Sequence, residues 1–112
     1  MSFNKKIALA LLAFGFLSTA NMAYAEDADS AKINETITHL EQGSVEASKS
    51  DFSASTLHLK AARNSSEEIQ GHEAAKKSGL EQINNGMKEV KLGRSEEAVA
   101  EIKKAIAIYK GL

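Results

Sequence analysis

The chain has 112 residues, with 14 Lys and Arg against 15 Asp and Glu, and it contains neither Cys nor Pro. That balance of charge speaks against a nucleic-acid partner, which needs a basic face. The missing Cys excludes disulfide staples, a lipidated N-terminus, a thiol nucleophile and c-type haem attachment.

Residues 1–25 read as a Sec-type secretory signal that is cleaved. Lys5 and Lys6 form the positive start, and Ile7 to Leu17 is an apolar run of 11 residues. This is too short for the roughly 20 residues that a membrane span needs. Ala23-Tyr24-Ala25 then places small residues where a signal peptidase cuts, just before Glu26. Removing 25 residues from 112 leaves 87, which carry 12 Lys and Arg against 15 Asp and Glu, a net charge near −3. The expected location is periplasmic or secreted, with no membrane attachment after cleavage. Only Phe52 and Tyr109 remain as aromatic residues, so the core of this one small domain must be aliphatic and rich in alanine.

Four amphipathic helices are predicted, over about 30–48, 51–70, 73–91 and 95–110. In the first, Asp29 or Ser30 is the expected cap, and Ile33, Ile37, Leu40 and Ala47 form the apolar stripe. Gly43 and Ser44 sit inside it at some cost in helix propensity. Lys49-Ser50-Asp51 reads as a turn, with Ser50 or Asp51 capping a second helix that buries Phe52, Leu59 and Ala62 and carries Ser55 and Thr56 on the same side. The end of that helix has two readings. Ser65-Ser66-Glu67-Glu68 resembles a capping box and would end it near Asn64, whereas Gly71-His72 ends it near Gln70. The later break is preferred because it gives helices of similar length.

The third helix has its stripe at Leu80, Ile83, Met87 and Val90. Gly93 can close it in the left-handed conformation, and Ser95 can cap the fourth helix, with Glu96 and Glu97 suiting the positive end of the dipole. Ala98, Ile102, Ala105 and Tyr109 then form the last stripe, widened by Val99 and Ile106.

A shift of 43 residues lays the first half of the mature chain on the second. Leu40 falls on Ile83, Gly43 on Gly86, Ala47 on Val90, Leu59 on Ile102 and Ala62 on Ala105. Duplication or a shared heptad pattern produces such a match. In either case two αα-hairpins each present an apolar face, and burying those faces together gives an all-α fold, a small antiparallel up-down four-helix bundle.

No glycine-rich phosphate loop and no nucleophile elbow is present, so an enzyme is not expected. Met87, a conceivable haem ligand, lies on an apolar stripe and reads as core filling. The remaining candidates are His39, His58 and His72, since neutral imidazole suits copper, nickel and zinc. Glu35 stands four residues before His39, on the same helical face, and is an auxiliary carboxylate candidate. His39 and His58 fall at comparable heights on antiparallel helices, at the flanks of their stripes. His72 lies near the far end. No two His are spaced to chelate from one helical turn, so binding capacity is expected to be low.

The signal segment, the Cys-free chain, and the motifs Ile37-Thr38-His39-Leu40, Leu57-His58-Leu59-Lys60-Ala61-Ala62 and Gly93-Arg94-Ser95-Glu96-Glu97-Ala98 together resemble the small metal-binding protein family of bacterial periplasms. The resemblance implies a monomeric helical bundle that sequesters or buffers divalent metals, copper notably, through histidines along its helices. The chain departs from that pattern at Gln82 and Glu101, which stand where the shift would place partners of His39 and His58. The Gly93–Ala98 stretch with Ile102, Ala105 and Ile106 is also similar to one tetratricopeptide-type helix pair, without that repeat's aromatic and proline landmarks. The alternative function is therefore a non-catalytic envelope bundle that docks on a protein partner without a metal. An exposed apolar groove would favour this alternative, and clustering of His39 and His58 with a carboxylate would favour metal.

Overall fold

The computed structural model describes residues 25–112, with side chains from Asp29 onward. All but the last residue of the expected signal segment therefore lies outside the described residues. The chain divides into two compact units, 1–31 and 32–112, and the second holds the bundle. The described residues form four helices and no strand: α1 (Ala25–Ser48), α2 (Phe52–Glu67), α3 (Glu73–Lys91) and α4 (Ser95–Lys110). None of them is long and apolar enough to cross a membrane.

Each turn has a local cause. At the α1–α2 corner, Ser50 adopts a left-handed φ of 63°, and the Asp51 amide donates to the Glu46 carbonyl at 2.8 Å. At the α3–α4 corner, Gly93 has a φ of 71°, and the Arg94 amide donates to the Glu89 carbonyl at 2.9 Å. Ser50 and Gly93, Asp51 and Arg94, Glu46 and Glu89 are all related by the shift of 43. Both corners are thus the same Schellman-type closure. Asp51 caps α2 as expected, its Oδ1 accepting from the Ala54 amide at 3.2 Å.

Several expectations need correction. Helix α1 runs on from Ala25, so neither Asp29 nor Ser30 caps it. Helix α2 ends at Glu67, between the two predicted boundaries, and Gly71 and His72, both with positive φ, turn the chain into α3. Ser65 and Ser66 are buried within α2 and form no capping box. Ser95 does not cap α4 either; Arg94 holds the cap position, and the Ser95 hydroxyl donates across the bundle to the Ala47 carbonyl at 2.5 Å.

In two helices only part of the predicted stripe is fully buried: Leu40, Ala47, Ile83 and Val90 are, whereas their expected companions are only partly buried. In α3 the buried positions are Gly79, Ile83, Gly86 and Val90, whereas Leu80 and Met87 pack at the flank. In α1 they are Thr36, Leu40, Gly43 and Ala47, with Ile33 and Ile37 at the flank. Close approach explains the difference. A Cβ on Gly43 would stand 3.0 Å from Leu59 Cδ2, and one on Gly86 would stand 3.0 Å from Ile102 Cγ1. Gly43 and Gly86, like Leu59 and Ile102, are equivalents under the shift, so each hairpin seats a branched side chain of its second helix on a glycine of its first.

The contacts between hairpins set the layout. Lys110 of α4 lies 3.6 Å from Glu41 of α1, and Arg63 of α2 points its guanidinium at Met87 of α3, 3.8 Å from the sulfur. Each helix therefore has its hairpin partner on one side and a helix of the other hairpin on the other side, the up-down bundle that the periodicity predicted.

Candidate functional site

The inner seam of the first hairpin carries the polar cluster. His39 on α1 and His58 on α2 project from that seam, nine residues before the end of α1 and six residues after the start of α2. Opposite directions of travel bring them to one height. Their ring centroids are 6.5 Å apart, and the ring planes meet at 27°. Both side chains are half-buried.

Glu35, one turn before His39, lies alongside. Its Oε2 is 3.9 Å from His39 Nε2 and accepts the Ser65 hydroxyl at 3.1 Å. Its Oε1 accepts from Lys32 at 3.4 Å. The Lys32 ammonium also meets Glu68 at 2.6 Å. The hydrogen bond to Glu68, followed by the charge of Glu35, raises the Lys32 pKa above the ordinary lysine value. Glu35 is therefore held from three sides. Lys32 and Ser65 are the participants that sequence reasoning missed. The three-residue spacing of Lys32 and Glu35 was a usable signal; the partnership of Ser65 with Glu35, 30 residues away, emerges only on folding.

One nitrogen in this cluster stands out. His39 Nδ1 is buried and has no hydrogen-bond partner, a costly arrangement for an imidazole acceptor or donor. Two other described side-chain atoms share this condition, Gln82 Oε1 and Glu89 Oε1. Glu89 has Arg94 beside it at 3.6 Å. Gln82 is the equivalent of His39 under the 43-residue shift, so the same position is under-satisfied in both hairpins.

His72 is not part of the cluster. It occupies the N-cap position of α3, with a left-handed φ of 54°. Nine residues of α2 separate His58 from the end of that helix, about 13 Å at 1.5 Å per residue, which puts His72 at the opposite end of the bundle. Among the described residues no group of three or more His, Asp or Glu side chains is placed to hold a metal ion. What stands together is a stacked pair of imidazoles, with a carboxylate already engaged beside them.

A second feature lies on the seam between the hairpins. An open groove of about 560 Å³ runs between α2 and α3, lined by Phe52, Thr56, Leu57, Val90 and Lys91 among others. Leu57 is 69% exposed there, a large apolar side chain left to solvent. Helix α2 contains no Asp or Glu from Phe52 to Ser66, whereas Lys60 and Arg63 belong to that stretch and Lys88 and Lys91 to the facing end of α3. Lys91 is the charged residue on this otherwise largely apolar lining.

No protein-family model matches this chain, and no curated protein or solved structure matches it.

Proposed function

We propose that the protein is a non-catalytic, monomeric carrier or buffer of a transition metal ion in the bacterial cell envelope. The ion is bound between His39 and His58, with copper foremost and nickel or zinc as the other candidates. The observation that carries this reading is the buried, unpartnered Nδ1 of His39 beside a second imidazole 6.5 Å away. A bound cation would supply the partner that this nitrogen lacks. The donors are neutral nitrogens of borderline softness, the type that copper, nickel and zinc share. A single pair of imidazoles gives low capacity, in keeping with Gln82 and Glu101 at the equivalent positions of the second hairpin. Delivery to the envelope rests on the signal-like segment 1–25.

Calorimetric titration with copper(II), nickel(II) and zinc(II) tests the proposal, run beside His39→Ala, His58→Ala and His72→Ala. Binding of one ion per chain at micromolar or tighter affinity, lost in the first two variants and kept in the third, is the expected result. Equal weak binding by all four proteins would retire it.

The groove between α2 and α3, with Leu57 exposed on it, favours a second reading, an envelope interaction protein that receives an apolar segment of a partner. Leu57→Asp would abolish such an interaction while leaving metal binding intact, so the two readings separate experimentally.

A further inference from the structure

We propose that Met87 is an oxidation site that takes one oxygen atom from a hydroperoxide, and that Arg63 receives the resulting sulfoxide so that the bundle stays folded. The proposal is independent of the metal reading, for neither residue belongs to the His39–His58 cluster.

Sulfur is scarce in this chain. Cys is absent, and of the three Met residues Met1 and Met22 lie outside the described residues. Met87 therefore carries the only sulfur atom among the described residues. It stands at the flank of the α3 stripe, partly buried and packed against the core. That placement leaves room for a molecule the size of hydrogen peroxide to reach the thioether. It also means that a new polar oxygen there needs a hydrogen-bond donor.

Arg63 supplies the donor. Its Nη1 points from α2 across the seam between the hairpins, 3.8 Å from the Met87 sulfur. Among the described residues Lys32, Lys49, Arg94, Lys104 and Lys110 each meet a carboxylate, and Arg63 meets none. A thioether is a weak acceptor, so a guanidinium with five N–H donors is poorly used against it. A sulfoxide oxygen is a strong one, and its bond to Arg63 would be charge-assisted. The rotatable bonds of the Met side chain let that oxygen swing toward the guanidinium. The pair is not a by-product of the repeat, since the shift of 43 places Ser44 and Ile106 at the equivalent positions.

The step balances without another reactant. A sulfur lone pair attacks the outer oxygen of the hydroperoxide, the S–O bond forms and the O–O bond breaks. The proton of the transferred hydroxyl passes to the departing oxygen, which leaves as water or an alcohol. Sulfur loses two electrons and the peroxide gains them.

The test exposes the purified, folded protein to hydrogen peroxide, locates the added oxygen by peptide mass spectrometry, and compares oxidised with unoxidised protein by urea unfolding. Expected are one oxygen on Met87, an unchanged helical circular dichroism spectrum, and a shift of the Arg63 guanidinium ¹H–¹⁵N signal. In Arg63→Leu, which keeps an apolar side chain but no donor, oxidation should raise the unfolding constant about tenfold more than in the wild type. Arg63→Lys, which keeps a charged donor, should restore most of the tolerance. Met87→Leu should lose the response of stability to peroxide. If Met87 resists peroxide in the folded protein and takes up oxygen only in urea, the site is overturned. An equal cost of oxidation in the wild type and Arg63→Leu would overturn the role of Arg63. So would a guanidinium signal that does not move, a readout in the wild type that stands whether or not Arg63→Leu folds.

Discussion

Ser66 and Tyr109, 43 residues apart in sequence and therefore equivalent in the two hairpins, meet hydroxyl to hydroxyl at 2.5 Å in the core. Both are fully buried, and the Tyr109 ring lies over Gly79, where a Cβ would stand 2.5 Å from its Cζ. Three helices thus converge on one phenol. Tyr109→Phe would leave the Ser66 hydroxyl buried without this partner and should cost about 1–3 kcal/mol. Tyr109→Phe combined with Ser66→Ala should cost less than the two single changes summed. Gly79→Ala forces the ring out of its seat and should cost about 2 kcal/mol or more. Urea denaturation of the four variants measures all three expectations.

The same phenol gives a pH signature. Burial raises the Tyr109 pKa above its ordinary value of 10.0, and the hydrogen bond with Ser66 opposes that rise in part. In the folded protein the phenol therefore keeps its proton at a pH where the unfolded chain has begun to release it. The unfolded state then binds fewer protons, so stability falls as pH rises through and above about 10. Lys32, with a raised pKa, contributes stability that is present below its ordinary value of 10.5 and is also lost on further rise. The two effects separate by difference: between about pH 8 and about pH 11 the wild type should lose more stability than Tyr109→Phe, since both keep Lys32. Urea midpoints at the two pH values give the answer.

The two corners make a matched pair for substitution. Ser50 carries a left-handed φ that glycine adopts freely, and Gly93 is that glycine in the other hairpin. Ser50→Gly should stabilise the protein by about 0.5–1 kcal/mol, and Gly93→Ala should destabilise it by about 1 kcal/mol. Neither residue belongs to the His39–His58 cluster, so thermal unfolding with an unchanged metal titration is the check.

Much of this architecture is legible in the sequence because it depends on period and punctuation. The stripe of α4, the Asp51 cap and the Gly93 closure each follow from a residue type at a set offset, and the bounds of α3 and α4 agree with those predicted. What was illegible depends on partners far along the chain. Leu80 and Met87 look like the centre of a stripe by hydrophobicity, yet Gly79 and Gly86 hold that place because Tyr109 and Ile102 need the room. Ser95 has every mark of a cap, but the Ala47 carbonyl, 48 residues away, claims its hydroxyl. At the cluster, spacing placed His39 and His58 at one height and Glu35 beside them; that the seam between α1 and α2 turns both rings inward required the packed hairpin. His72 resembles the others only as a residue type.

The equivalence of the hairpins predicts how a second site could be built. Gln82 and Glu101 occupy the places of His39 and His58, and Gln82 Oε1 shares the unpartnered condition of His39 Nδ1. Gln82→His with Glu101→His should raise the stoichiometry from one ion per chain to two under the metal reading. Calorimetry with copper(II) counts them directly; a stoichiometry that stays at one would mean that the two seams differ in more than these two side chains.

Joining the hairpins in one polypeptide permits a core that two separate copies could not form. If either hairpin paired with a copy of itself about a twofold axis, residues in the places of Ser66 and Tyr109 would face their own images. Two copies of the first half would set serine against serine and leave a hole. Two copies of the second would drive one phenol ring into another, for the space that Tyr109 fills is the space its image would require. Only a chain that writes the two halves separately can put a large side chain on one side of the axis and a small one on the other. The linker between α2 and α3 therefore does more than shorten the search for a partner: it keeps two unlike halves together, so that the large Tyr109 and the small Ser66 meet in one core.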